Sequence, residues 1–188
     1  MRKYLDKLIS CLNAVSIRDN NSNLDLGFED GMDMLLSLLL DKRRSQKNLY
    51  FIGNGGSAAI ASHMTSDFFK NGRFKTISLF DSSALTCLGN DYGYEYIFSK
   101  QIERMMSPDD LLIAISSSGR SPNIVNAVNA AHENNADVLS LTGFDFDNSV
   151  RNLADCSIYI PSHEYGIVES CHNLLLQELV DKLKEIKL

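Results

Sequence analysis

The amino-acid sequence predicts a doubly wound α/β fold in which helices cover both faces of a five-stranded parallel sheet. From residue 48 onwards, short apolar runs alternate with longer segments of helical periodicity, as they do in folds of this class. Two of the apolar runs end in loops rich in glycine or serine, and a helical segment follows each loop. A chain of 188 residues is long enough for one domain with a sizeable core and a helical extension.

Composition and charge narrow the class of function. The hydrophobic share of 44% and the charged share of 22% are ordinary for a globular protein. A net charge of -6 argues against nucleic acid or an acidic membrane surface as a partner. The first residues lack the apolar core of a signal peptide, and no apolar run reaches the length of a membrane span.

The four cysteines (Cys11, Cys87, Cys156 and Cys171) are widely spaced and include no CxxC pair. This usage is typical of reduced, mostly buried cysteines. We therefore expect a cytoplasmic protein. Because of its net charge and its lack of a membrane span, we expect neither nucleic acid nor a membrane among its partners.

Residues 1–47 are predicted to form a pair of helices that belongs to the same domain as residues 48–188. Apolar residues recur at helical spacing from Tyr4 to Val15, and again across 26–44. Because the pair is strongly apolar, we expect it to cover either the rest of its own domain or another subunit.

The predicted elements of the remaining chain follow in regular order. The strand candidates are 48–52, 76–80, 111–115, 138–142 and 157–160. The helix candidates are 57–70, about 94–106, 122–135 and 165–187. In doubly wound folds, ligands bind outside the carboxyl ends of the strands, where the strand order switches. Both glycine- or serine-rich loops lie at such ends.

The first loop spans residues 53–57, with the sequence GNGGS. Its glycines allow a tight turn and the close approach of a ligand to the backbone. Ser57 is the predicted N-cap, and the free N–H groups and dipole of the new helix favour an anion. Taken alone, the loop fits a phosphate seat and a plain strand-to-helix turn equally well. It has neither a Walker A sequence nor the full G-x-G-x-x-G spacing, so we expect no nucleotide cofactor.

The second loop spans residues 116–121, with the sequence SSSGRS. We predict Ser121 as the N-cap of the next helix, with Pro122 at its first position. An ordinary serine-rich loop would explain this segment alone. Two such loops in one small α/β pattern instead indicate a cradle for an anion.

Together, these motifs and their strand contexts make the sequence similar to the sugar isomerase (SIS) domain family, and within it to the phosphoheptose isomerases. The resemblance is carried by residues 53–57 with His63 following, by 89–93 (GNDYG), by 115–121 and by 141–143. It covers nearly the whole chain, including the N-terminal helical pair. Phosphoheptose isomerases convert sedoheptulose 7-phosphate to a heptose 7-phosphate.

The resemblance implies a flavodoxin-like sheet, a phosphorylated sugar as ligand, and a homotetramer whose active sites form between subunits. The implied substrate-binding residues are Asn54, Gly55, Gly56, Ser57, Asp91, Ser116, Ser117, Ser118, Ser121 and Glu169. Among these, Asp91 is expected near the sugar hydroxyls. The helix that begins near Tyr165 is expected to help complete an active site.

Aldose–ketose isomerisation needs a base that removes a proton α to a carbonyl, and an acid or a metal that handles the enediolate oxygen. His63 and Asp67 lie four residues apart, so both side chains share one helix face. Glu169, His172 and Gln177 are further candidates on the last helix. We expect catalytic roles for Asp67, Glu169 and His172. Zinc, which favours imidazole and carboxylate ligands, is a candidate cofactor for His63, Asp67, Glu169 and Gln177.

Four positions depart from the pattern that the resemblance implies. Asp67 replaces a catalytic glutamate and is one methylene shorter. Gln177 replaces a second catalytic histidine, and an amide cannot exchange a proton as imidazole does. Gly166 replaces a substrate-contacting aspartate, whereas Glu169 replaces a glutamine and adds a carboxylate. Glu169 or His172 could take over the missing histidine's task; the alternative is that His172 is a packed helix histidine.

The other rings of the sequence carry weaker signals. Tyr92, Tyr94 and Phe98 fall at helical spacing, which favours core packing over contact with a substrate. His163 precedes the last helix and could approach a neighbouring subunit's site, a point that the sequence alone leaves open.

Two classes of function follow. The first is a phosphosugar isomerase that works through an enediolate and supplies heptose for surface polysaccharide; His63, the carboxylate at Asp67 and both loops favour it. The second is a non-catalytic sugar-phosphate-binding or protein-interaction module, as in relatives that bind a replication initiator; Gln177 and Gly166 favour it. Fold alone does not separate them. The isomerase is the preferred prediction.

Overall fold

The computed structural model describes residues 2–22 and 24–186. Across these ranges the chain folds into one sheet with helices on both of its faces. The α-helices are α1 (Arg2–Asn13), α2 (Phe28–Arg44), α3 (Gly56–Lys70), α4 (Ser82–Tyr92), α5 (Ser99–Met105), α6 (Pro122–Glu133), α7 (Ser149–Leu153) and α8 (Tyr165–Glu185). The strands are β1 (Ser16–Asp19), β2 (Leu24–Leu26), β3 (Asn48–Gly53), β4 (Lys75–Ser78), β5 (Leu111–Ser116), β6 (Asp137–Thr142) and β7 (Cys156–Tyr159).

The five predicted strands form the parallel part of the sheet, as expected. The strand order is β2-β1-β7-β6-β5-β3-β4, and β3 to β7 pair in parallel. Among the parallel strands this is the flavodoxin-like order 2-1-3-4-5, whose switch point lies between β3 and β5. In the register of these two strands, Gly53 pairs with Ile115. The first and second loops therefore leave the sheet side by side.

The N-terminal segment contains more than the predicted pair of helices. Helix α1 ends at Asn13, and a hairpin of β1 and β2 separates it from α2. Strand β1 pairs antiparallel with β7, and Ile17 at its centre is fully buried. The buried guanidinium of Arg151 donates to the Ser16 hydroxyl at 3.0 Å. The open edge of β7 and this buried cation stabilise an extended segment between the two predicted helices.

The core has two layers, which follow the alternation of side chains along the strands. Leu49 and Phe51 of β3 point to the layer that packs against α1, α2, α3 and α8. Tyr50 and Ile52 point to the opposite layer, which packs against α5, α6 and α7. Burial on both faces is the reason why the strands read as continuous apolar runs.

The segment between β4 and β5 differs from the single helix predicted near 94–106. Helix α4 begins at the Asp81 N-cap, whose side chain accepts the N–H of Ala84 at 2.9 Å. It ends at Gly93, whose φ of 99° is a left-handed conformation that favours glycine. A short 3-10 turn (Tyr94–Tyr96) and α5 follow.

Arg43 fixes the C-terminal helix beside α3. Its guanidinium is buried and donates to the carbonyl oxygens of Gly72 at 3.2 Å, Leu183 at 2.9 Å and Ile186 at 3.2 Å. Three helix ends are thereby joined.

Within the described ranges, none of the helices combines the length and the apolar character needed to cross a bilayer.

Candidate functional site

A cavity of about 110 Å³ lies where the two loops meet at the sheet switch point. We call it the hydroxyl cavity. It is lined by Asn54, Ser57, Ile115, Ser116, Ser117, Ser118, Ser121, Tyr165 and Glu169. The volume is small beside that of a complete ligand pocket, so it fits one polar group of a ligand rather than a whole ligand. Because these lining residues come from both loops and from α8, the structure brings the two loops and the start of α8 together, as the sequence predicts.

The first loop turns into α3 at Gly55, not at Ser57. Gly55 is the N-cap, with φ 55° and ψ −121°, a conformation that favours glycine. The prediction that Ser57 caps the helix is wrong, because Ser57 lies inside the first turn of α3. Ser57 is buried, with 3% of its surface exposed, and it lines the hydroxyl cavity. A glycine N-cap supplies no side-chain hydrogen bond, so the positive end of the helix is not neutralised by its own cap residue.

Gly56 lies against the carboxylate of Glu169. A Cβ atom at position 56 would overlap Oε1, Oε2 and Cδ of that side chain. Position 56 therefore needs glycine as long as the carboxylate keeps this place. The contact brings the start of α8 to the start of α3.

The second loop follows the prediction at its end. Ser121 is the N-cap of α6 with Pro122 after it, and within the described ranges the Ser121 side chain makes no capping hydrogen bond. Its hydroxyl is thus available to a ligand. Backbone contacts hold the loop: the N–H of Gly119 donates to Ser116 at 3.0 Å, and that of Gly143 donates to Ser117 at 3.0 Å.

The hydroxyl cavity is lined by hydrogen-bond donors but by no cationic side chain among the described residues. The Ser117 hydroxyl is buried and has no hydrogen-bond partner in the described part of the chain. Among the described residues, those lining the cavity include no lysine or arginine. Arg120, the cation of the second loop, instead pairs with Asp145 at 3.3 Å. Hydroxyls and the N-termini of α3 and α6 would therefore have to bind an anion here.

An amide pair that the sequence does not reveal connects the two loops. Asn54 Nδ2 donates to Asn123 Oδ1 at 2.9 Å, and Asn123 Nδ2 donates to Asn54 Oδ1 at 2.8 Å. The Tyr94 hydroxyl also donates to Asn54 Oδ1, at 2.9 Å. Both lone pairs of that oxygen are thus used, and Asn54 lines the hydroxyl cavity. Asn123 is a site residue that the sequence does not reveal, because only the fold joins it to Asn54. The prediction that Tyr92 and Tyr94 pack in the core is wrong, since they are 55% and 62% exposed, whereas Phe98 is buried as predicted.

A second, more apolar cavity of about 430 Å³ adjoins the first. Asn54 lines both. The other residues of this apolar cavity are Gly53, Gly55, Ala58, Phe80, Leu85, Thr86, Gly89, Tyr94, Ile97 and Phe98. An apolar space beside a few convergent polar groups is the usual form of a small-molecule site.

Asp91 lines neither of these two cavities. It is exposed near the end of α4, where its carboxylate accepts the Asn90 amide at 2.9 Å and the Cys87 thiol at 3.6 Å. Within one chain, the structure does not bring Asp91 to the other predicted substrate-binding residues.

His63 and Asp67 share a face of α3, as predicted, with Nε2 of His63 3.8 Å from Oδ2 of Asp67. Oδ1 of Asp67 accepts the Asn71 amide at 2.9 Å. About 16 Å of helix axis separates Asp67 from Gly56, so neither side chain of the pair lines the hydroxyl cavity.

The four predicted zinc ligands lie in three separate places. Glu169 contacts Gly56, His63 pairs with Asp67, and Gln177 donates to Asp181 at 3.4 Å. In residues 2–22 and 24–186, no three histidine, cysteine, aspartate or glutamate side chains are close enough together to hold a metal ion. The described residues of one chain therefore do not fit a complete zinc site.

His172 is fully buried and its Nε2 lies 3.1 Å from the carbonyl oxygen of Thr142. Burial lowers the pKa of this imidazole to about 4, although the Thr142 carbonyl opposes the shift. His172 is therefore neutral near pH 7 and does not reach the cavity. This is the position of a packed helix histidine, the alternative that the sequence left open.

The position of Gly166 faces the N-terminal helix. A Cβ atom there would lie 3.0 Å from the Tyr4 hydroxyl. Beside it, the Phe144 ring stacks with His163 at 5.7 Å and meets Tyr165 edge-on at 4.8 Å. Of these three rings, only that of Tyr165 lines the hydroxyl cavity.

Comparison with known proteins adds family information to this geometry. The profile of the family described as SIS domain matches residues 27–143. The chain is 36% identical over 161 residues to the phosphoheptose isomerase of Pelobacter propionicus, covering 81% of this chain and 83% of that protein.

Two solved structures have the same fold along nearly the whole chain. The phosphoheptose isomerase of Neisseria gonorrhoeae superposes with a TM-score of 0.84 and 28% identity, covering 98% of this chain and 97% of the other. That of Francisella tularensis superposes with a TM-score of 0.84 and 26% identity, covering 98% and 96%.

Proposed function

The chain belongs to the SIS domain family, and from that premise we propose that it is an aldose–ketose isomerase of sedoheptulose 7-phosphate. Relatives that bear the name phosphoheptose isomerase match about four fifths of the chain. Its product, a heptose 7-phosphate, would enter the synthesis of surface polysaccharide.

The hydroxyl cavity is the observation that carries the proposal. It unites the N-termini of α3 and α6 with four serine side chains of the second loop and Ser57 of the first. Such a set suits the oxygens of a phosphate group, each of which accepts several hydrogen bonds. The adjoining apolar cavity leaves room for the carbon chain of the sugar.

In the proposed reaction a carboxylate removes a proton from C1 of the ketose while the C2 carbonyl oxygen gains one. The resulting enediol is reprotonated at C2 as O1 loses its proton, which yields the aldose. Of the three predicted catalytic residues, Glu169 lines the cavity, Asp67 lies further along α3, and His172 is buried. This placement favours Glu169 as the group that touches a bound ligand. Asp67 remains the proposed base.

We propose that the active sites form between the subunits of a homotetramer, so that Asp67 of one copy serves a cavity of another. Exposed apolar side chains on α1 and α8 support an association of copies: Tyr4 is 47%, Leu5 51%, Ile9 54% and Leu174 43% exposed. A mixture of refolded Asp67→Asn and Ser121→Ala subunits tests this arrangement. Shared sites predict recovered activity in the hybrid, whereas separate sites predict none.

Zinc binding remains a prediction, because the described residues of one chain do not form a complete set of zinc ligands. No step of the proposed reaction is assigned to a metal. Metal analysis of the purified protein, before and after addition of Zn²⁺, tests it directly. The proposed compartment is the cytoplasm. Its support is that all four cysteines are free, three of them buried and Cys87 exposed.

The decisive experiment is incubation with sedoheptulose 7-phosphate, with and without Zn²⁺, followed by NMR detection of aldose product. The proposal predicts turnover. Retained binding without turnover would favour the second class of function, a non-catalytic sugar-phosphate-binding module. The placement of His63 and Asp67 outside the hydroxyl cavity is the observation that favours this second class.

A further inference from the structure

We propose that the Glu169 carboxylate is an internal anion, which occupies the N-terminus of α3 in the free protein and opposes the binding of phosphate there. The inference rests on the proposed function only in taking a phosphate group as the ligand. It makes Glu169 the residue that sets the affinity of the hydroxyl cavity.

The Glu169 carboxylate lies at the start of α3. It lies against the α-carbon of Gly56, the first residue of α3, in a place that any other side chain at 56 would fill. The N–H groups of Ala58 and Ala59 already donate to Asn54 at 3.3 Å and Gly55 at 3.1 Å. The first turn of a helix attracts negative charge, and here the chain supplies its own.

The same cavity is lined by serine residues whose hydroxyls lack protein partners among the described residues. The Ser117 residue is only 4% exposed, lines the cavity, and its hydroxyl has no partner within the described ranges. A buried hydroxyl without a partner costs free energy unless a ligand or water satisfies it. The Ser121 hydroxyl likewise lines the cavity and makes no capping bond among the described residues.

The cavity carries a negative charge that no nearby side chain offsets among the described lining residues. Neither lysine nor arginine occurs among the described residues that line the cavity, and Arg120 is engaged with Asp145. A phosphate that enters the cavity would share it with a carboxylate, without a protein cation to offset the repulsion. Two like charges a few ångströms apart in a partly buried site repel strongly. Phosphate must therefore displace Glu169 or bind against its charge.

Isothermal titration calorimetry with inorganic phosphate tests the proposal on the intact protein. Glu169→Gln keeps the shape of the side chain and removes its charge, and Glu169→Ala removes the side chain beyond Cβ. We expect both variants to bind phosphate about tenfold more tightly than the wild type. Glu185→Gln, the same change at the exposed end of α8, is the matched control and should leave the dissociation constant unchanged.

Thermal unfolding gives a second readout. Loss of the carboxylate removes a favourable interaction with α3, so the ligand-free Glu169→Gln protein should melt about 1–4 °C lower than the wild type. Its stabilisation by added phosphate should be larger. A purely structural role would lower the melting temperature without increasing the response to phosphate.

Unchanged or weaker phosphate binding in both variants would overturn the proposal. Tighter binding in Glu169→Gln alone would also overturn it, because the new amide donor would then explain the gain. The isomerase proposal fails separately, through the absence of aldose product from the wild type. Tighter phosphate binding in both variants without turnover would therefore support the internal anion and reject the isomerase.

Discussion

The side-chain amides of Asn54 and Asn123 form a reciprocal hydrogen-bonded pair, with N···O distances of 2.9 Å and 2.8 Å. Asn54 belongs to the loop after β3, and Asn123 lies in the first turn of α6. The pair therefore crosses the switch point of the sheet. It joins the two loops through side chains, in addition to the backbone register of β3 and β5.

Asn123→Asp should break this pair. The new carboxylate cannot donate to Asn54 Oδ1, which leaves two acceptors facing each other at a position only 1% exposed. We expect a loss of about 1–3 kcal/mol in the free energy of unfolding, measured with urea. Asn129→Asp, an exposed change on the same helix, is the control. Equal stability of the two variants would show that the pair contributes nothing.

Tyr94→Phe removes the third hydrogen bond to Asn54. Tyr94 is 62% exposed, so the free energy of unfolding should change little. The released Asn54 amide should position a ligand less well, and affinity for sedoheptulose 7-phosphate should fall about two- to tenfold, the worth of one neutral hydrogen bond. Tyr92→Phe, at 55% exposure, should bind normally. A normal affinity for Tyr94→Phe would remove this tyrosine from the site.

Ser117→Ala separates binding from stability. Because the Ser117 hydroxyl is buried without a partner in the described structure, its removal should leave the ligand-free protein as stable as before or more so. Phosphate affinity should weaken by about 1–2 kcal/mol through loss of a charge-assisted bond. Ser140→Ala removes an equally buried, unpartnered hydroxyl from β6 and should not alter affinity. Identical binding by both variants would contradict the assignment.

Asp67→Asn tests the proposed base. The amide oxygen can still accept the Asn71 side chain, so we expect little loss of stability. Isomerase activity should fall by about 10²-fold or more, the usual contribution of a general base. Asp33→Asn, exposed on α2, serves as the control in the same kinetic assay. Activity that survives the change at 67 would exclude Asp67 as the base.

The buried His172 side chain should make the free energy of unfolding of the protein depend on pH. Its pKa is lowered to about 4 in the folded protein, below the value near 6.5 of an unfolded chain. The unfolded state therefore binds the extra proton first as the pH falls. Stability should decline from about pH 6.5 towards pH 4, with a loss of about 2 kcal/mol between pH 7 and pH 5 from this residue alone.

Urea unfolding at pH 7 and pH 5 measures this loss, with His172→Gln as the comparison. The glutamine amide can donate to the Thr142 carbonyl but does not titrate. The difference between the two pH values should therefore shrink by about 2 kcal/mol in the variant. An undiminished difference would assign the pH dependence to other groups.

The parallel sheet and the meeting of the two loops could be predicted from the sequence. Residues 49–52 and 111–115 read as buried strands, and parallel strands end at the same edge of a sheet. The family resemblance drawn from these loops is confirmed by the match over residues 27–143. Local sequence patterns are sufficient to predict the place of a loop that directly follows a strand.

What depends on distant contacts could not be predicted. Ser16–Asp19 becomes a strand because β7 offers an edge and Arg151 a partner for Ser16, and both lie more than a hundred residues away. The N-cap at Gly55 depends on a backbone conformation that periodicity does not encode. The separation of Glu169, His63 and Gln177 likewise follows from how α3 and α8 meet.

The outermost strands of the sheet, β2 and β4, are three and four residues long. The first carries Asp25 at its centre, and the second begins with Lys75. Brief, charged borders are poor templates for the addition of foreign strands. Such edges protect the sheet against the uncontrolled addition of strands from other molecules. The association of copies that we propose would instead use the exposed apolar side chains of α1 and α8.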